Sequence, residues 1–285
     1  MAPHTDPSRQ DGGRRPCAAA VPPLVREVVR AYLSLADAAA PGLVQGLYLT
    51  GSVALDDFVR PRGDIDFVAV SAVPPSPAQT AALQRAHAHL AARVRRPFFE
   101  GPYVTWDQLA DDPSNAAPGP YAHRGGLLPA VGHGRQPATW QVLSRYGVTM
   151  RGPEARDLTV DTSPGELALW ARDSLARYWR PWWERGSRPL GQEGLACLGA
   201  RAAAWGVLGV SRAHLALARG EVASKTAAGE YARTAFGAAW HRVVDECLRS
   251  RRGEGRGGRY PTPLGRRRDA LAFVDMVIED ALARF

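Results

Sequence analysis

Two aspartates one residue apart, Asp64 and Asp66, follow closely on a Gly-Ser pair, Gly51-Ser52. Each part has its own chemistry. Residues i and i+2 of a strand point to one face. Carboxylates paired in that way resist ionising together unless a cation sits between them. Hard oxygen ligands suit Mg²⁺, which in turn binds phosphates. A strand that ends in Gly-Ser and enters a helix presents backbone N–H groups to an anion, and glycine lets a phosphate come close to the backbone. An Asp-x-Asp alone says little, because solvated strands often carry one. Here Ile65, Phe67 and Val68 make the strand apolar. Charges beside a core are costly unless paired or metal-bound, so the two motifs together describe a site for a metal-bound triphosphate.

The elements that must hold these residues follow from periodicity. Val25, Val28, Val29, Tyr32, Leu33 and Ala36 recur at helical spacing, which predicts a helix over 23–39. Leu47 to Leu49 reads as a strand, and a helix is expected from the Gly-Ser turn through Phe58. The turn 60–63 precedes a strand over 64–70. A helix over 77–95 and a strand over 97–106 come next. Residues 111–137, rich in Pro, Gly, Asn and Ser, read as a long loop. A short helix and a last strand occupy 138–151, and from 164 onward only helical patterns appear. Strands mixed with helices, then helices alone, imply an α+β chain of two units. The expected division is a disordered tail over 1–20, a sheet-bearing domain over 21–157 and an all-α domain over 158–285.

Further residues could join the site. Glu100 lies in the third strand after Phe98 and Phe99; the alternative is an exposed strand acid. Arg212 sits in a mostly apolar helix, where a charge needs a partner. Lys225 follows Ser224, a natural N-cap, and a cation is unfavourable at a helix N-terminus unless an anion lies in front of it. The aromatic cluster Trp170, Tyr178, Trp179, Trp182 and Trp183 reads first as core and second as a pocket wall, with Pro181 bending the helix. His87 and His89 do not share a helix face, and His133 and His241 carry no motif.

Composition excludes several classes. Of the 285 residues 45% are hydrophobic, enough for a packed core, and no apolar run is long enough to span a membrane. Cys17, Cys197 and Cys247 lack the spacing of a zinc site or a disulfide framework. The polar N-terminus has no signal-peptide pattern, so a cytoplasmic protein is expected. The net charge of +8 is concentrated in 249–268, where eight arginines face the single acid Glu254. Only Tyr260 accompanies them, so the segment reads as a solvated loop rather than a base-stacking surface.

Gly51-Ser52 with Asp64-Ile65-Asp66 resembles the signature of the polymerase-β-like nucleotidyltransferases. Residues 146–153 (YGVTMRGP) and Ser224 to Tyr231 (SKTAAGEY) resemble the aminoglycoside 3''- and 9-adenylyltransferases within that superfamily. The resemblance implies Mg²⁺ held by Asp64 and Asp66, with Glu100 as general base and third carboxylate of the metal site. It implies ATP bound by Gly51, Ser52, Gly63, Arg212 and Lys225, in a cleft between the two units. Gly63 stands where relatives usually have Ser, and its backbone N–H is expected to serve instead. The expected acceptor is a small molecule, an aminoglycoside or aminocyclitol antibiotic, taken by a monomer. Relatives that also accept streptomycin use a Trp after the third strand and an Asp before the Arg212-type position. Residues 111–137 contain no Trp and Leu195 to Ser211 no Asp, so a spectinomycin-like acceptor is implied. Two alternatives remain: transfer to a protein or RNA end, and nucleotide binding without catalysis.

Overall fold

The computed structural model describes residues 21–60, 63–113, 115–254 and 257–285. The expected disordered tail, and Cys17 within it, lie outside these. The chain begins with α1 (Pro23–Ala39), β1 (Gly46–Leu49), the single turn α2 (Gly51–Ala54), β2 (Ile65–Ser71), α3 (Pro77–Arg93), β3 (Phe99–Thr105) and α4 (Trp106–Ala110). A hairpin of β4 (Gly119–His123) and β5 (Gly126–Val131) follows, then α5 (Pro137–Tyr146) and β6 (Val148–Arg151). The six strands form one mixed sheet in the order β5-β4-β3-β2-β1-β6, with β2 and β3 parallel. The crossover between that parallel pair is α3, which starts at a reciprocal cap: Ser76 Oγ accepts from the Gln79 N–H and Gln79 Oε1 accepts from the Ser76 N–H.

Alternation along β2 decides where the acids point. Ile65, Phe67 and Ala69 face the cluster built with α1 and α3, where Phe67 stacks on Phe99 with centroids 4.2 Å apart. Val68 and Val70 face the other side, against Trp140 and Leu143 of α5. Asp66 belongs to this second face by the period of two. The register pairs Asp66 with Glu100 across the parallel strands, so both carboxylates leave the sheet on the side of α5.

The second half is helical: α6 (Pro164–Ser174), α7 (Arg180–Ser187), α8 (Gln192–Ala196), α9 (Ala200–Arg219), α10 (Lys225–Ala235), α11 (His241–Arg252) and α12 (Pro263–Arg284). A π-helical turn, Leu175–Trp179, joins α6 to α7. Pro181 lacks the N–H that would continue the ladder, which accounts for the widened turn before it. Gly206 and Gly209 leave notches in α9 that Trp182 and Trp179 fill. The two halves share an apolar cluster containing Ala54, Val142, Leu167, Ala171, Ala216 and Val222. Gln141 of α5 fastens the α9–α10 turn, accepting from the Val222 N–H and donating to the Gly220 carbonyl at 3.0 Å.

Three expectations are corrected. The long loop over 111–137 contains the β4–β5 hairpin; its tight turn at Arg124-Gly125 places both residues at positive φ, and Gly and Pro inside the strands hid the alternation. The helix after Gly51-Ser52 is a single turn ending at Ala54 rather than reaching Phe58. The arginine-rich stretch is a solvated loop only in its middle, where residues 253, 254 and 257–259 are exposed; its two ends are helical. It runs from the end of α11 to the start of α12, and its described arginines are engaged: Arg251 with Asp57, Arg252 with Glu230, Arg259 with Asp245, and Arg267 with the Gly194 and Gly186 carbonyls. Among the described residues no helix is long and apolar enough to cross a membrane.

Candidate active site

The two halves enclose a cleft of about 650 Å³, within the ordinary range for a small-molecule site. One end is charged. Thr50, Gly51, Asp66 and Glu100 line it from the sheet, and Arg212 and Lys225 from the helices. Trp170, Tyr178, Trp179 and Trp205 give the cleft an aromatic wall, which reaches the charged end at Trp205 beside Lys225.

Gly51 is required by close approach. Its φ is +54°, and a β-carbon there would run into the Asp66 carboxylate. The next residue, Ser52, donates its backbone N–H to that carboxylate. Asp66 is still poorly satisfied. Burial, then the neighbouring charges of Asp64 and Glu100, push its carboxyl up to about 6, against the pull of Lys225 and the Ser52 N–H. Glu100 Oε1 is held by the hairpin, accepting the Arg124 N–H at 2.9 Å with His123 Nδ1 at 3.3 Å. Asp64 Oδ1 turns outward to Arg96 at 3.2 Å and the Phe98 N–H at 3.3 Å.

The cations opposite lack carboxylate partners. Arg212 donates to the Ala223 carbonyl at 2.9 Å, and among the described residues neither Arg212 nor Lys225 forms an ion pair. Lys225 begins α10, whose N-cap Ser224 accepts from the Ala227 N–H. Its ammonium lies 4.4 Å from the Trp205 ring centroid. Burial, then Arg212 and Arg251, lower its pKa to about 8, while Asp66 and Asp57 pull the other way.

Of the residues expected from sequence, Gly51, Asp66, Glu100, Arg212 and Lys225 line one cleft, and Asp64 and Ser52 adjoin it. Gly63 does not behave as expected. Its N–H donates to the Val59 carbonyl at 2.7 Å, and Phe58 packs where a side chain would sit. The donor chemistry fits a hard divalent cation: carboxylates crowded on one strand end, one of them forced toward the neutral form. The geometry is not closed, and among the described residues no three such side chains form a ready metal cage. Asp64 would have to leave Arg96 to join Asp66. His133, read from sequence as structural, lines the cleft with Tyr121 and packs on it edge to face. His123, Tyr121 and Asp173 carried no signal in the sequence, because the strands and helices that present them had first to be placed.

No family model matches the chain, and no curated protein sequence matches it. Among solved structures it resembles the spectinomycin adenyltransferase AAD(9) from Enterococcus faecialis, solved with ATP and spectinomycin. The TM-score is 0.65 at 11% identity, over 90% of this chain and 99% of that one. The likeness is one of fold: a mixed sheet followed by a helical half.

Proposed function

We propose that this protein is a nucleotidyltransferase that moves AMP from ATP to a hydroxyl of a compact aminocyclitol acceptor. The observation that carries the reading is the charged end of the cleft. Asp66 and Glu100, at one register on adjacent strands, face Arg212 and Lys225 across a space lined elsewhere by aromatic rings. A triphosphate suits the cations, and Asp64 with Asp66, beside Glu100, would hold Mg²⁺. Bound there, the metal would neutralise the phosphates and stabilise the attacking and leaving oxygens of an in-line displacement.

The chain's own groups divide the work. Lys225 and Arg212 hold the phosphates, and Gly51 leaves room for them. The acceptor hydroxyl gives its proton to Glu100 as its oxygen attacks the α-phosphorus, and pyrophosphate leaves with the electron pair of the broken P–O bond. A carboxylate positioned in this way contributes ~10²–10⁴-fold. For the acceptor, charge is the guide. Asp173, a carboxylate of α6 that lines the cleft, is paired with Arg177 at 2.8 Å. A polycationic aminoglycoside would want more free carboxylates, whereas a fused-ring aminocyclitol can stack its apolar faces on Trp170 and Trp179.

The test is ATP turnover with Mg²⁺ and a panel of aminoglycosides and aminocyclitols, read as pyrophosphate release and the mass of an AMP adduct. Adduct with a spectinomycin-like compound is the expected result. ATP binding without any adduct would reject the acceptor class. Streptomycin resistance without spectinomycin resistance, in a sensitive host expressing the protein, would reverse the preference.

A further inference from the structure

Asp57 lies outside the carboxylate strand, five residues beyond Ser52, to whose carbonyl it donates its N–H at 2.8 Å. Its side chain is 9% exposed and reaches into the helical half. One carboxylate oxygen accepts the Thr226 hydroxyl at 2.6 Å, and the other accepts the Thr226 N–H at 3.2 Å. Arg251 joins from the end of α11, with Nη2 at 2.6 Å and Nε at 3.1 Å from the same oxygen, and Nη2 also donates to the Asp57 carbonyl at 2.8 Å. Thr226 is the residue after Lys225.

We infer that Asp57 is a positioning residue, which fixes the first turn of α10 so that Lys225 faces Asp66 across the cleft. Three features support this. The clamp joins the segment after the Gly-Ser turn directly to the helix end that carries Lys225. The Thr226 N–H belongs to a first helical turn, where it has no partner within the helix. The charges also divide in a useful way: Arg212, Lys225 and Arg251 crowd the same region, and Asp57 takes Arg251. The other two are thereby left without a carboxylate and available to an anion. One member of the arginine-rich stretch thus gains a definite role.

For nucleotide this inference rests on the function proposed above. The test uses the full chain. Asp57→Ala should raise the Kd for Mg–ATP roughly tenfold, the scale of one charge-assisted contact, while kcat at saturating ATP stays within about threefold. Thr226→Val should weaken Mg–ATP and Thr226→Ser should restore it. That pair carries the test if Asp57→Ala does not fold. Folded Asp57→Ala protein with the wild-type Kd, or Val and Ser variants that behave alike, would overturn the inference. If wild-type protein binds no nucleotide, the function fails and hydrogen exchange decides the clamp. Faster exchange of the Thr226 amide in Asp57→Ala, with the middle of α11 unchanged, supports it; unchanged exchange at Thr226 overturns it.

Discussion

Two acids of this molecule, Glu246 in the helical core and Asp66 half-buried at the cleft, meet opposite fates. Glu246 of α11 is 1% exposed and fully answered. Arg249 grips both its oxygens at 2.9 and 3.0 Å, the Arg259 N–H donates at 2.9 Å, and Arg266 stands behind. These partners, Arg249 first, hold its carboxyl below the usual range. Asp66 has one backbone donor and two like-charged neighbours, and is pushed up. A buried acid that builds a fold is given cations; Asp66 is given other acids and an open cleft. The cations that could answer it, Arg212 and Lys225, are held across that cleft by a carbonyl and a tryptophan ring. Like charges gathered on each wall, with space between, favour a ligand that brings both signs.

The contrast breaks first at Asp66. On the proposed function Asp66→Asn removes a metal ligand and should lower turnover by about a thousandfold or more, and Asp64→Ala should do the same. Asp66→Asn should also raise thermal stability at pH 8. A carboxyl with a raised pKa in the folded state gives full stability below the unfolded value and loses it as pH rises through about 6. Removing that loss is worth up to about 3 kcal/mol. Glu246→Ala should do the reverse: stability falls by about 3 kcal/mol in urea as a buried pair is broken, while kcat of the folded protein holds. Destabilised Asp66→Asn, or Glu246→Ala that loses turnover before it unfolds, would erase the distinction.

Glu100→Gln sharpens the division of labour among the site acids. The amide cannot accept the hydroxyl proton, so kcat should fall ~10²–10⁴-fold with the Kd for Mg–ATP unchanged. A lost affinity, read by calorimetry, would make Glu100 chiefly a metal ligand. Lys225→Ala should weaken Mg–ATP by about 1–3 kcal/mol and leave the melting temperature of the ligand-free protein nearly unchanged. A large drop in that temperature would mark Lys225 as a structural cation like Arg249.

The sequence made the charged end of the cleft legible because its rules are local. The strand pattern marks Asp66, although Asp64, one residue ahead of β2, turns to Arg96; Gly51 is marked by its pairing with Ser52, and Lys225 by its cap at Ser224. Glu100 was legible only through the resemblance, since its place opposite Asp66 depends on register between strands. What stayed hidden depends on distant chain. Asp57 meets Thr226 and Arg251 across separations of 169 and 194 residues, which no spacing rule reaches. Arg251, Arg266 and Arg267 looked as solvated as their neighbours because a charge count does not show the acid and carbonyls packed against them. Trp170 and Trp179 have helical periodicity whether they fill a core or wall a cleft, because both bury aromatic surface. The β4–β5 hairpin failed the strand pattern through its own Gly and Pro, although it holds Glu100 in place.

The smallest expected effect is in the pH profile, and it tests both walls at once. The value of kcat/KM for ATP reports groups of the free enzyme. Asp66 titrates near 6 because burial and then Asp64 and Glu100 oppose its charge. Below that value it carries a proton and cannot serve the metal, so the rate should fall on the acid side. Lys225 titrates near 8 because burial and then Arg212 and Arg251 oppose its charge. Above that value it is neutral and holds phosphate less well, so the rate should fall on the alkaline side. The profile should be a bell between about 6 and 8, with limbs no steeper than about tenfold per pH unit for one proton each. Raising Mg²⁺ should move the acid limb downward, because a nearby cation favours the carboxylate. Lys225→Arg should abolish the alkaline limb, because a guanidinium keeps its charge through this range. A profile flat from pH 5 to 9, or an alkaline limb that survives Lys225→Arg, would show that the two walls are not matched as the charges imply.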